Sequence, residues 1–195
     1  MSPLEQSVEQ SVERSVEQSV EQSVQRRARG LSQRRFRIGG ALYVVDGALL
    51  LVANRRLQGH IEWTPPGGVI DRDESLLTGI AREVREETNL QVKSWNDLEY
   101  SVIVDAPDMG WHMTVESWSP RHVTGEIELN DPDGIVEDAR YVPLGGVGAV
   151  LSDSPPWIHV PIGRWLDQGC QPVGSFSFVV RGADRATARV EQLWP

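Results

Sequence analysis

Three glutamates, Glu83, Glu86 and Glu87, stand at positions i, i+3 and i+4 of one stretch. In a helix that spacing places all three carboxylates on one arc of roughly 100°. The adjoining arc is apolar, with Leu77, Ile80, Ala81 and Val84. Left to itself the acidic arc is unfavourable. Like charges at i,i+4 repel, and negative charge near a helix C-terminus opposes the macrodipole. A hard divalent cation reverses that balance, because carboxylate oxygens and water are its natural ligands. The chemistry such a centre supports is attack of water on an anionic substrate: metal neutralises the substrate oxygens and lowers the pKa of the water, and a carboxylate takes the proton. A solvated acidic face with no ligand satisfies the same spacing.

The stretch ahead of the helix must position these groups. Trp63-Thr64-Pro65-Pro66-Gly67-Gly68 is stiff, then permissive: the prolines fix φ, and the glycines let backbone approach a ligand closely. Asp71 and Asp73 are the expected N-caps of the helix that follows. The order is loop, glycine pair, cap, helix, acid cluster. Gly68, Glu74, Arg82-Glu83, Val84, Glu86-Glu87 and Leu90 fall at the spacings of the Nudix box, and the chain resembles the Nudix hydrolases, MutT-like members included. Asn89 stands where the family has glycine, a mild departure because Asn tolerates the left-handed conformation that ends a helix.

The resemblance covers about residues 36–168, with only the box specific. It implies an α/β (α+β) fold, a mixed β-sheet sandwiched between helices. It implies hydrolysis of a nucleoside diphosphate linked to another moiety, with Mg2+ or Mn2+ as cofactor. Glu86 and Glu87 are then the principal metal ligands, with the Gly67 carbonyl as a further ligand and Glu83 as ligand or base. Arg82 lies on another arc of the helix and joins the catalytic set by orienting the carboxylates through ion pairs. Glu74 supports the loop. The segment around Glu137 resembles the one in which an acid outside the box lies near the metal, which makes Glu137 a candidate.

Composition narrows the partners. The chain has 195 residues and a net charge of −9, which fits one domain with appendages and disfavours bulk nucleic-acid binding. Lys93 is the only lysine and Cys170 the only cysteine. An internal disulfide is excluded, and a cytoplasmic location is expected. No apolar run is long enough to span a membrane, and the N-terminus lacks signal-peptide regions.

Along the chain, residues 1–34 form a low-complexity SVEQ repeat and an Arg-rich linker, with valines winding around any helix and glutamates repelling at i,i+4. Disorder is expected; a weak self-association helix is the alternative. Six arginines between Arg26 and Arg37 read as a solvated linker rather than an RNA contact. Residues 35–168 form the expected domain. Ile38–Val45 and Ala48–Ala53 read as strands joined by Asp46-Gly47, a two-residue hairpin turn. Arg55, Arg56 and Trp63 are candidate substrate contacts, Arg55 or Arg56 to a phosphate. Separate strand-like runs appear around 91–93 and 100–104, a turn at 106–110 and an alternating strand at 111–118, where Trp111 and Trp118 serve core packing or base stacking. Residues 130–138 are acidic and turn-rich, with spacing wrong for a calcium loop. Residues 144–151 read as a weak helix and 157–168 as a short helix interrupted by Pro161. Residues 169–195 are a C-terminal extension with a candidate β-hairpin.

Two functions stay open: a metal-dependent nucleotide pyrophosphohydrolase, or a catalytically silent nucleotide-binding or regulatory module with the same fold. The intact glutamate set favours the first. Nucleoside triphosphates, ADP-ribose and nucleotide sugars all remain candidate substrates, and a homodimer is a candidate assembly because some members of the resembled family share their site between two subunits.

Overall fold

A computed structural model describes residues 33–56, 59–129, 131–132, 134–184 and 187–194. The SVEQ repeat and Arg26, Arg27 and Arg29 lie outside the described residues.

The apolar alternations of the sequence become strands that close around two cores. In chain order these are β1 (Arg34–Ala41), β2 (Val44–Val45), β3 (Ala48–Arg55), β4 (Ile61–Thr64) and β5 (Gly67–Val69). Helix α1 (Leu76–Thr88) follows, then β6 (Gln91–Ala106), β7 (Trp111–Thr124) and β8 (Val136–Pro143). Next come a short α2 (Val147–Val150), α3 (Pro156–Asp167), β9 (Gly174–Arg181) and β10 (Arg189–Trp194). Six strands form one sheet in the order β10-β9-β6-β7-β1-β5. It is mixed: β6 and β9 run parallel, with Tyr100 opposite Gly174, while β6–β7, β9–β10 and β1–β5 are antiparallel. The second sheet is built on β3, which pairs β2, β4 and β8.

Strand β3 is buried on both faces, as a strand between two layers must be. Leu49 and Leu51 enter one core with Phe178, Ile162 and Trp165, and Leu50 enters the other with Ile70, Ile80 and Val84. The sheets are thus flanked by α3 on one core and α1 on the other, the α+β arrangement expected of the sequence.

Several local expectations change. The run 38–45 is two strands in different sheets, β1 and β2, separated by Leu42 and Tyr43. The turn after β2 is as expected, with Asp46 at φ 49° and Gly47 at φ 75°, the left-handed pair of a two-residue hairpin. Residues 91–106 form one strand rather than two runs; its register against β7 shifts repeatedly between Val92 and Tyr100, and such bulges break the alternation that sequence reading relies on. Neither Asp71 nor Asp73 caps α1. Ser75 does, accepting the Thr78 N–H at 3.3 Å. At the other end Asn89 takes φ 63°, and its N–H reaches the Arg85 carbonyl at 2.8 Å, the left-handed cap expected of it. Residues 144–146 are a 3-10 turn before α2. Helix α3 continues through Pro161, which is buried; packing of Ile162 and Trp165 outweighs the one backbone bond proline cannot make.

The C-terminal stretch is a β-hairpin, and β9 is built into the sheet. It lies between β6 and β10 and delivers Phe176, Phe178 and Val180 to the core. Among the described residues, no helix is long and apolar enough to cross a membrane.

Candidate active site

The apolar arc of α1 buries Leu76, Ile80 and Val84, which turns its acidic arc toward the strand pair β1–β5. Close approach of backbone makes this possible. A Cβ on Gly67, whose φ is 151°, would sit 2.1 Å from the Gly39 carbonyl oxygen. A Cβ on Gly68 would sit 2.6 Å from the Glu83 carboxylate. Gly67 therefore lets the β1 backbone approach, and Gly68 leaves the space that the Glu83 side chain occupies.

Arg82 organises the carboxylates. Its Nη1 donates to Glu83 Oε1 at 2.8 Å and to Glu86 Oε2 at 2.9 Å. Its Nη2 donates to Glu74 Oε1 at 2.7 Å and to the Val69 carbonyl at 3.1 Å, and its Nε to Glu74 Oε2 at 3.3 Å. All five donors of the guanidinium are engaged. Glu74 first, then Glu83 and Glu86, hold Arg82 firmly protonated. The same pairing, led by the Arg82 hydrogen bond, lowers the Glu74 carboxyl below its ordinary value. Glu74 precedes the helix and also accepts the Asp71 N–H at 2.9 Å, which ties the loop to the helix as expected.

Glu87 stands apart. It is 6% exposed, and its Oε2 accepts the Gly67 N–H at 2.8 Å. Burial raises its pKa to about 8; Glu83 and Asp131 push the same way, against the Gly67 hydrogen bond and Arg56. A carboxyl so destabilised as an anion gains from a cation brought close.

These groups open on a cavity of about 590 Å3. Its polar lining includes Asn54, Arg56, Glu62, Thr64 and Asp131, and its apolar lining includes Ile38, Met113, Val115, Trp157 and Ile158. Arg56 is paired with the buried Glu62 at 2.7 Å. Asn54 donates to Thr64 Oγ1 at 3.1 Å, while its own Oδ1 is buried with no hydrogen-bond partner among the described residues.

The structure brings Glu83, Glu86, Glu87, Arg82, Gly67 and Arg56 to one cavity. It places the other candidates elsewhere. Arg55 and Glu137 form an exposed ion pair with each other, and Trp63 packs under the Arg140 guanidinium, 4.4 Å from its ring centroid. None of these three lines the cavity. Trp111 packs edge to face on Trp157, and His112 pairs with Asp105 at 2.6 Å. Asp131 was not among the sequence candidates. Its Oδ2 accepts the N–H groups of Ile135 at 2.6 Å and Val136 at 2.9 Å. No local spacing links it to the box; the β3–β8 pairing and the Arg55 N–H bond to the Ile135 carbonyl at 2.7 Å set its place.

The donor set suits a hard divalent cation: three carboxylates and a backbone carbonyl, all oxygen. Among the described residues no three acidic, histidine or cysteine side chains are gathered around one point. The reason is visible in the contacts. The Arg82 guanidinium stands as a cation between Glu83 and Glu86, and Glu87 is turned onto the Gly67 amide. The residues fit the ion in type, with Arg82 paired to two of the three carboxylates.

The chain belongs to the NUDIX domain family, whose model matches residues 33–166. It is similar to a MutT-like protein from Streptomyces ambofaciens, 41% identical over 56 residues, which is 29% of this chain; the aligned region spans about a third (34%) of that relative's length. Among solved structures it is similar to a MutT NUDIX hydrolase from Burkholderia pseudomallei (25% identity, TM-score 0.51, covering 57% of this chain and 85% of that one). It is also similar in fold to the E. coli ORF135 protein (16% identity, TM-score 0.60, covering 71% of this chain and 93% of that one).

Proposed function

We propose that the protein is a metal-dependent nucleotide pyrophosphohydrolase that cleaves a nucleoside diphosphate linked to another moiety. The observation that carries this reading is the convergence of Glu83, Glu86 and Glu87 with the Gly67–Gly68 backbone on one cavity. Glu86, Glu87 and the Gly67 carbonyl would hold Mg2+ or Mn2+, with Glu83 as further ligand or general base. When bound, the metal supplies charge neutralisation at the pyrophosphate and a water of lowered pKa. The chain's own part is positioning and proton transfer. Glu74 anchors Arg82, which holds Glu83 and Glu86 at fixed distances. Gly67 fixes Glu87 through its N–H. A carboxylate of this set accepts the proton of the attacking water.

The test is hydrolysis of nucleoside triphosphates, ADP-ribose and nucleotide sugars with Mg2+ or Mn2+, against the Glu86→Gln/Glu87→Gln variant as blank. Cleavage of one class well above the blank supports the reading. Cleavage equal in the two proteins refutes the ligand assignment. No cleavage, with thermal stabilisation by a nucleotide, points instead to a silent nucleotide-binding module.

A further inference from the structure

Strand β10 is an open edge of the six-stranded sheet: among the described residues it pairs with β9 and with no other strand. It lies beyond residues 33–166, the part of the chain that the family model matches. An edge strand presents a row of unpaired backbone N–H and C=O groups, which recruits a further strand unless it is blunted. Here the irregularity is confined to one end, where the register against β9 shifts between Gln192 and Trp194. Arg189, Val190 and Glu191 run regularly opposite Arg181, Val180 and Val179.

Both faces of that regular part are incomplete. On the inner face Val190 is only half-buried against the core that holds Val180 and Phe178. On the outer face Arg189 stands directly opposite Arg181, and like charges so placed destabilise a sheet. Arg181, Arg189 and Glu191 are all exposed. Among the described residues none of the three forms an ion pair.

A second copy supplies what is missing. A two-fold axis across an antiparallel strand pair passes beside one residue, which then faces its own copy. Through Arg189 or Glu191 it sets like charges face to face. Through Gln192 it falls at the register shift. Through Val190 it sets Arg189 against the second copy's Glu191, and Glu191 against the second copy's Arg189. Each arginine crowded by Arg181 gains an acid on its other side, and opposite charges directly across a strand pair are stabilising. The two Val190 side chains meet on the inner face and extend the core across the seam.

We propose that the protein forms a two-fold dimer through β10, with the two strands antiparallel and centred on Val190, so that two six-stranded sheets become one. A strand pair this short buries less than a standard interface, so monomer and dimer exchange.

Sedimentation velocity on the full chain, from about 1 µM to about 1 mM, reads the association. The parent should pass from monomer to dimer and no further. Glu191→Arg and Arg189→Glu each put two like-charge pairs across the axis and should weaken association by about tenfold or more. The double reversal Arg189→Glu/Glu191→Arg rebuilds both pairs and should recover most of the loss, which also shows that the single variants did not fail by misfolding. A parent that stays monomeric to about 1 mM overturns the proposal. So does a dimer that both single reversals leave intact, the result expected if residues 1–32 carry the self-association, and so does assembly that continues past the dimer. Amide hydrogen exchange reads the seam without mutation: β10 amides should gain protection as the parent's concentration rises, and unchanged exchange there across the transition overturns the assignment of the strand.

Discussion

Replacing Glu87 by glutamine should stabilise the metal-free protein, although it removes a glutamate of the box. The folded carboxyl has its pKa raised from 4.5 to about 8, chiefly by burial. Between those values the folded state holds a proton that the unfolded state has lost, so stability falls as pH rises through the window. At pH 7 the linkage amounts to about 3 kcal/mol, and at pH 5 to about 1 kcal/mol. Glutamine keeps an oxygen for the Gly67 N–H and has no charge to bury. In EDTA, Glu87→Gln should therefore raise the melting temperature at pH 7 by roughly 6–12 °C, with a smaller gain at pH 5. Added Mg2+ should narrow or reverse the order, since the variant lacks one of the proposed ligands and gains less from a bound ion. The assay is thermal or urea unfolding at both pH values, with chelator and with metal. A variant less stable than the parent at pH 7 in EDTA, or one with the parent's pH slope, would refute the argument that burial makes the Glu87 anion costly.

Other perturbations test separate links. Arg82→Ala leaves Glu74, Glu83 and Glu86 without their shared cation and should cost about 1–3 kcal/mol without metal, discounted for partial exposure; Arg82→Lys should not restore it in urea melts, because an ammonium cannot supply the five-donor fork. Gly67→Ala drives a Cβ into the Gly39 carbonyl and should cost about 3 kcal/mol or more, read by chemical denaturation. Phe178→Ala empties a fully buried site on β9 and should cost about 3–5 kcal/mol; a change under about 1 kcal/mol would mean β9 does not support the core.

The box was legible because its chemistry is local. Loop, helix and three carboxylates fall within one continuous stretch, where helical period alone sets Glu83, Glu86 and Glu87 on one side. The Asp46-Gly47 turn was legible for the same reason. The helix start was not: Asp71, Asp73 and Ser75 are all good caps by type, and the Glu74–Arg82 pairing together with burial of Leu76 decides which one serves. Asp131 was out of reach because long-range pairing sets its place, β8 against β3. Arg55 and Arg56 look interchangeable in sequence, yet Arg55, the last residue of β3, pairs with the exposed Glu137, while Arg56, just beyond the strand, pairs with the buried Glu62.

The parallel seam between β6 and β9 also sets an order of events in folding. Gly174 pairs with Tyr100, so the seam closes a loop of more than seventy residues, whereas the β6–β7 hairpin closes across a turn of only a few residues. Loop-closure entropy must be overcome before distant contacts give any return. Hairpins and α1 can therefore condense early, with the β9 seam arriving late. Tyr100 belongs to that seam and also lines the cavity. The glutamate helix and the β6–β7 wall of the cavity can thus form first, with β9 bracing Tyr100 from the far side only when the seam closes.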